Sequence, residues 1–439
     1  MQIRRLLLLL LAAATVLGAT PVQAADIEST LRAFERGDYA TVREEAEPLA
    51  KAGDPSAQFI LGLLYERGYD GIPDELQAAY WYNKAADQGL GQAEDALKAL
   101  RQSGRGFTID NGSLLITFGD AYEGDRPEAQ LALADAYDHG NGVSGNKPAA
   151  AYWYGRAAEH GLTQAKSRLG QMLFAGDGIA KDEGKAVGLL RDAAEAGDSD
   201  AAYGLGVAYA TGRGIERDDG QAVRWFHSAA EAGNDRAAFN LARMTEDGRG
   251  TRKDQAAALD WYKRAADAGN SRAQLTLGIG YAEGAGGLPE DKKEAARWFQ
   301  KAADQGEPMA AYRLGLAYDH GYGVMANGVQ AARWYEKAAE GGVIDAMYRL
   351  GILYANGDGV DLDLPRSYFW YSLASAEKHK HAGAAAQRIA QRLSRGDLQR
   401  ANEQVQAWLA ATSAGSSAAG SDTGGTVDAV PAAGSSDSP

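Results

Sequence analysis

The sequence has no cysteine among its 439 residues. Disulfides, thiolate chemistry and cysteine-bound metal are therefore excluded, and so is the cysteine through which a bacterial lipoprotein is anchored. Stability has to come from packing. Long apolar runs are equally scarce: apart from Leu6–Gly18, nothing approaches the about 18 consecutive apolar residues of a spanning helix, so no transmembrane anchor is expected. Positive charge is in deficit. Against 59 acidic residues stand 45 basic ones, a net charge of −14 that repels phosphate backbones, and nucleic acid is not an expected partner. Histidine is rare, with 6 in the whole chain, which leaves little material for a metal or catalytic site.

What is present begins with a leader. Arg4 and Arg5 precede the apolar run, and Val22-Gln23-Ala24 offers the small residues of a signal-peptidase site, which predicts a signal peptide over 1–24. Leucines follow the arginines without the polar flanks of a twin-arginine signal. Export by the general secretory route, to the periplasm or beyond, is expected. At the other end, 412–439 is nearly all Ser, Gly, Ala, Asp and Pro with no aromatic residue, a composition that predicts a disordered tail.

Between these ends the chain repeats. The segment starting at Ala310 recurs from Ala57, Ala129, Ala165, Ala201, Ala237, Ala273 and Ala346, in steps of 36 residues with one of 37. The double step from Ala57 to Ala129 predicts a degenerate copy over 93–128. With the leading alanine as offset 0, Ala310, Leu314, Gly315 and Tyr318 share one face of a first helix. Gly321, at offset 11, closes that helix through positive φ, and every regular copy has glycine there. The second helix carries an aromatic pair, Trp334-Tyr335, followed by Ala338-Ala339. Elsewhere the pair becomes Trp-Phe or Leu189-Leu190, so the position demands apolar bulk, hydroxyl and indole nitrogen are dispensable, and the rings are expected in the core.

One helix pair cannot shield both its faces, so successive pairs must stack on one another. The expected fold is all-α: a right-handed α/α superhelical solenoid of about eight or nine helix-turn-helix repeats over 57–381, with helical caps at 25–56 and 382–411. The repeated pattern, A-x-x-x-L-G-x-x-Y-x-x-G-x-G-V followed by A-x-x-W-Y-x-K-A-A-x-x-G, resembles the Sel-one-like repeat (SLR), a relative of the tetratricopeptide repeat. That resemblance spans roughly Asp26 to Ala411 and implies adaptor proteins, in bacteria often secreted or periplasmic, that support envelope complexes, polysaccharide export, signalling or contact with host proteins.

Each polar candidate for chemistry has a bland counterpart in another copy. His139 and His320 sit at offset 10, where other copies hold Arg67, Ala175, Thr211, Asp247, Glu283 and Asn356, the variety of a solvated helix end. His379-Lys380-His381 is the one local cluster, and it falls short of the converging ligands a metal needs. Glycine pairs such as those flanking Arg213 follow helices instead of strands and do not read as phosphate loops. No nucleophile, base and orienting group assemble, so no catalytic residue, cofactor or metal is expected.

Binding is expected where the copies vary. Offset 2 carries Tyr203, Phe239, Tyr312 and Tyr348, and offset 3 carries Arg168, Asn240, Arg313 and Arg349. First helices of the related repeats line a concave side, so these eight residues would form an aromatic and basic stripe facing a partner. The alternative is that the offset-2 rings pack between repeats. The stripe suits a protein–protein interaction scaffold or adaptor of the bacterial cell envelope that binds envelope or secreted proteins. The alternative function is a polysaccharide- or peptidoglycan-binding protein whose aromatics stack on sugars. A cell-wall hydrolase ranks last for want of a site.

Overall fold

The computed structural model describes residues 21–69, 71, 73–102, 118–122 and 125–422. The leader through Thr20, the middle of the degenerate copy at 103–117 and the end of the tail at 423–439 lie outside the described residues. Every regular element among the described residues is a helix. Contacts divide the chain into two units, Met1–Lys181 and Asp182–Pro439. The division falls within the copy that has Leu189-Leu190 in place of the aromatic pair.

The first unit contains α1 (Pro21–Arg36), α2 (Tyr39–Lys51), α3 (Pro55–Arg67), α4 (Glu75–Ala86), α5 (Gly91–Gln102), α6 (Pro127–His139), α7 (Lys147–Glu159) and α8 (Thr163–Ala175). Helices α1 and α2 pair across the Gly37-Asp38 turn, then α2 packs on α3, α3 on α4 and α4 on α5. Of the degenerate copy, the described parts are α5 and a helical turn at 118–122. That turn extends the aromatic core: Phe118 lies 5.9 Å from Trp153, and Tyr122 lies 5.5 Å from Trp81.

The second unit runs through α9 (Glu183–Glu195), α10 (Ser199–Thr211), α11 (Asp219–Glu231), α12 (Asp235–Asp247), α13 (Gln255–Asp267), α14 (Ser271–Glu283), α15 (Lys292–Asp304), α16 (Pro308–His320), α17 (Gly328–Glu340), α18 (Ile344–Asn356), α19 (Leu364–Ala376), α20 (Ala382–Ala390) and α21 (Arg395–Asp422). From α10 onward each first helix packs most extensively on its own second helix and next on the second helix before it. Trp408 of α21 covers the end of the stack, 5.8 Å from Trp370. The backbone of α21 is helical through Asp422, past the boundary expected at Thr412. Alanines at 410, 411, 414, 418 and 419 favour this continuation against Gly415 and Gly420, and no proline intervenes before Pro431.

Local chemistry explains where helices start and stop. The second helices begin at Asp74, Asn146, Asp182, Asp218, Asp254, Asp291, Asn327 or Asp363, whose side-chain oxygens accept hydrogen bonds from backbone N–H groups within the first turn. Such a cap stabilises a helix by about 1 kcal/mol. First helices end at left-handed glycines such as Gly321, at φ 75°. Two residues on, Gly323 at φ 75° lies against the backbone of Lys292 and Lys293, where a Cβ would collide; Gly178, Gly214, Gly250 and Gly359 make the same close approach to the repeat beside them, whereas Gly286 meets nothing.

Within a repeat, the two helices close over a ring laid on a glycine. A Cβ on Gly62, Gly206, Gly278, Gly315 or Gly351 would stand 2.5 to 2.7 Å from the ring of Tyr82, Phe226, Phe299, Tyr335 or Tyr371 respectively. Alanine is the largest residue at this position, at the fully buried Ala134 and Ala242.

Two expectations for the aromatic pair need correction. First, the hydroxyl has a use: Tyr82 donates to Glu66 at 2.7 Å, Tyr262 to Glu246 at 2.8 Å and Tyr335 to Asp319 at 3.1 Å, all acids at offset 9. Tyr154 donates to Asp135 at 2.6 Å and to Asp138, the offset-9 acid, at 3.3 Å. Where the ring is Phe226 or Phe299, offset 9 is Ala210 or Ala282, so phenylalanine leaves no carboxylate unmatched. Burial, with these carboxylates, pushes the Tyr262 and Tyr335 hydroxyls well above the ordinary phenol range. Tyr371 breaks the pattern: it faces Ala355, and burial alone leads its rise to about 12.

Second, the tryptophans are not all core. Trp81 and Trp153 are buried, but Trp225 and Trp261 are only half-buried, and the Arg264 guanidinium lies 4.5 Å from the Trp261 ring centroid. A cation one turn along keeps such a ring covered without an apolar neighbour. For the tyrosine pairing, Tyr262→Phe is expected to lower stability in urea by about 1 kcal/mol, and adding Glu246→Ala is expected to recover most of the loss. Independent, additive losses would contradict the pairing.

Candidate functional site

The seams between first helices are built from their N-caps. Asn234 accepts from the Ala237 N–H, and its Nδ2 donates to Asp200 of the preceding repeat at 2.9 Å. Asn270 repeats the device, accepting from the Ala273 N–H and donating to Asp235 at 2.9 Å. Gln305 donates to Gln274 at 2.8 Å, and Gln274 donates in turn to the Ala266 carbonyl at 3.0 Å. These bonds tie successive helices into register and leave a slot of about 240 Å³ beside them. Tyr203, Phe239 and Asn240 line it together with Asp235, Arg236, Asn270, Arg272 and Gln305.

Asn240 is the exception among these polar groups. The residue is buried, at 5 % exposure. Yet among the described residues its amide makes no hydrogen bond, whereas Asp235, Asn270 and Gln305 are committed to the ladder. The amide's polar atoms are not sealed from solvent, and they open into the slot, where water or a partner can meet them. Arg236, exposed at the rim, makes no ion pair among the described residues, so its cation stands at the mouth of the slot.

The eight residues expected as a stripe are distributed differently. Tyr203, Phe239 and Asn240 share the slot, and Arg313 lines a second cavity between α14, α15 and α16. The offset-2 rings lean on the second-helix ring of their own repeat: Tyr203 is 6.0 Å from Phe226, Phe239 5.8 Å from Tyr262, Tyr312 5.9 Å from Tyr335 and Tyr348 5.4 Å from Tyr371. Tyr348 is also covered by the stacked ring of His379 at 4.2 Å, and His379 in turn lies 3.4 Å from Asp345. Arg349 is 4.0 Å from Asp319. Arg168 lies in the first unit, half-buried, where its charge acts on the Tyr154 hydroxyl.

Arg236 and Arg272 escaped the sequence reading. Both stand at offset −1, and only these two regular copies have arginine there, a signal open to inspection. Among the described residues no group of three or more His, Asp or Glu is placed to hold a metal ion.

Helix pairs repeated on one backbone plan define an α/α repeat scaffold. The family model described as the Sel1 repeat matches eight times, at 55–90, 127–162, 163–198, 199–234, 235–270, 271–307, 308–343 and 344–379, and the chain belongs to that family. The unmatched interval 91–126 coincides with the irregular copy. Among solved structures, a Sel1 repeat protein from Oxalobacter formigenes is 28 % identical over 79 % of this chain and 89 % of its own, with a TM-score of 0.52. A protective antigen of uropathogenic Escherichia coli strains, displaying an SLR fold, is 31 % identical over 84 % of this chain and 86 % of its own, with a TM-score of 0.42. No curated protein matches the chain. Sel1 repeat proteins are generally protein-interaction scaffolds, and the repeat is a non-catalytic fold.

The unengaged amide has a measurable consequence. Asn240→Leu, similar in volume, is expected to leave stability unchanged or raise it by up to about 1 kcal/mol in thermal unfolding, because no native bond is lost. A loss beyond about 1 kcal/mol would show that the amide is already engaged within the fold.

Proposed function

We propose that this protein is an interaction scaffold of the bacterial cell envelope that receives an extended segment of a partner protein in the slot around Asn240. The observation that carries this reading is the Asn240 amide, buried and uncommitted beside Tyr203 and Phe239. An amide offers both donor and acceptor, which match the C=O and N–H of an extended backbone whatever its side chains. Arg236 at the rim favours an acidic residue nearby and speeds encounter.

The envelope setting rests on the leader pattern: Arg4-Arg5, the run Leu6–Gly18 and Val22-Gln23-Ala24, read as a signal peptide over 1–24. No helix among the described residues is long and apolar enough to cross a membrane, and the partner in this reading is an envelope or secreted protein. Sugar binding is the weaker reading. Stacking on a sugar needs an open ring face, and Tyr203, Tyr312 and Tyr348 already have a ring packed against them.

Immobilised protein, exposed to a bacterial periplasmic extract, is expected to retain a discrete protein. Retention should fall about fivefold or more with Asn240→Ala or Arg236→Glu and stay unchanged with Arg333→Gln, and purified cell wall should not carry the protein down on sedimentation. Undiminished retention by Asn240→Ala would remove the slot from the account, and co-sedimentation with wall material would favour the polysaccharide reading.

A further inference from the structure

The second cavity, also of about 240 Å³, lies between the repeats at 271–307 and 308–343. Its floor is apolar, formed by Ala295, Ala296 and Phe299, all buried. Two charge features separate this seam from its neighbours.

The first is a cation that no acid of the next repeat meets. At two seams the first residue of a second helix is an acid that pairs with an arginine of the next repeat, Glu183 with Arg213 at 2.6 Å and Asp219 with Arg249 at 3.0 Å, and at Lys147 the signs are reversed but the pair is kept, with Asp177 at 3.1 Å. Hydrogen bonding from Arg217, and then from Arg249, holds the Asp219 carboxyl below its usual range against its partial burial. At the cavity the same two positions are Lys292 and Tyr322, with the lysine Nζ 5.3 Å from the ring centroid. A cation in the first turn opposes the helix dipole, and here the next repeat places a ring beside it where Lys147 has the Asp177 carboxylate. Glu290, 3.2 Å from Nζ, offsets the charge only from an exposed position.

The second feature is Arg313. Its Nε is buried with no hydrogen-bond partner, and among the described residues its guanidinium makes no ion pair. The equivalent Arg349 in the next repeat has Asp319 at 4.0 Å. A half-buried guanidinium beside an apolar floor, with a second cation at the mouth, is incomplete by itself.

We infer that this cavity takes the free C-terminal carboxylate of a partner chain ending in an aliphatic residue. The carboxylate lies between Arg313 and Lys292, and the terminal side chain lies on the alanines and Phe299. A guanidinium fork matches a planar carboxylate, and only the last residue of a chain joins that anion to an aliphatic group on one carbon. Phosphate fits poorly, because Glu283 in the lining repels a second negative charge. Tyr322, 51 % exposed at the edge, is open to the residues before the terminus. This site shares no residue with the Asn240 slot, and either can fail without the other.

The test titrates the full chain with three capped dipeptides, observed by saturation-transfer NMR: N-acetyl-Ala-Leu as free acid, the same as its C-terminal amide, and N-acetyl-Asp-Leu amide. The free acid is expected to bind at least about tenfold more tightly than either amide, a difference of roughly 1.4 kcal/mol. Arg313→Gln and Lys292→Gln should each weaken the acid at least about fivefold, while Arg333→Gln should not, with melting curves recorded for each variant. Lys292 is exposed, so its variant remains informative even where Arg313→Gln disturbs folding. Equal binding of acid and amide, no binding of the acid, or no effect of Lys292→Gln overturns the inference. Equal binding of the Asp-Leu amide overturns the assignment to a chain terminus.

Discussion

In each of five repeats an aromatic ring lies against the bare backbone of a glycine, Tyr335 on Gly315 and its counterparts, and the spacing of the two helices follows from that contact. With no Cβ between them, the helices approach until the ring fills the gap, which is how a pair this short reaches interior packing density. The glycine costs roughly 1 kcal/mol of helix propensity relative to alanine, and the buried ring more than offsets it. Everything outward from the contact is permitted to vary. That is why the Tyr hydroxyl can take a carboxylate at offset 9 in some repeats, while Phe and Ala replace the pair in others.

The same division of labour accounts for the sites. Caps, closing glycines and ring contacts hold each repeat in place, so a seam residue need not contribute to stability. Asn240 and Arg313 both stand at offset 3, both line cavities and both lack partners among the described residues, whereas Arg349 at that offset lies near Asp319. A periodic scaffold thus turns a single position into a row of independently adjustable contacts. In the second unit, the polarity of the seam changes from Glu183–Arg213 and Asp219–Arg249 to Lys292–Tyr322 with no change in backbone plan.

Much of the fold was legible in the sequence, because helix faces and closing glycines recur with a fixed period: the all-helical repeats, the closing role of glycines such as Gly321 and the pairing of α1 with α2 follow directly. Period alone says which residues share a face, and not what that face meets. Tyr203 and Tyr348 were on the expected side of the helix, but they lean on the rings of Phe226 and Tyr371, more than twenty residues along the chain. Seam partners such as Arg249 and Asp219 are likewise separated by nearly a full repeat. The tyrosine–carboxylate pairing was visible in principle, as an acid at offset 9 accompanying Tyr and alanine accompanying Phe, but only a comparison of two offsets at once exposes it. The half-exposed Trp225 and Trp261 were not legible from an apolar pattern, since an overlying cation such as Arg264 hides a ring without belonging to the core.

The glycine-to-ring contact is tested most directly by a urea double-mutant cycle on Gly315→Val and Tyr335→Leu. Valine places methyl groups where the ring lies, so the account predicts a loss of about 1–3 kcal/mol for that single change. Leucine, which the copy with Leu189-Leu190 uses in this slot, gives the valine room, so the double variant should be more stable than the sum of the singles by at least about 1 kcal/mol. Additive losses would mean that the ring and the glycine do not set the helix spacing, and would contradict the account.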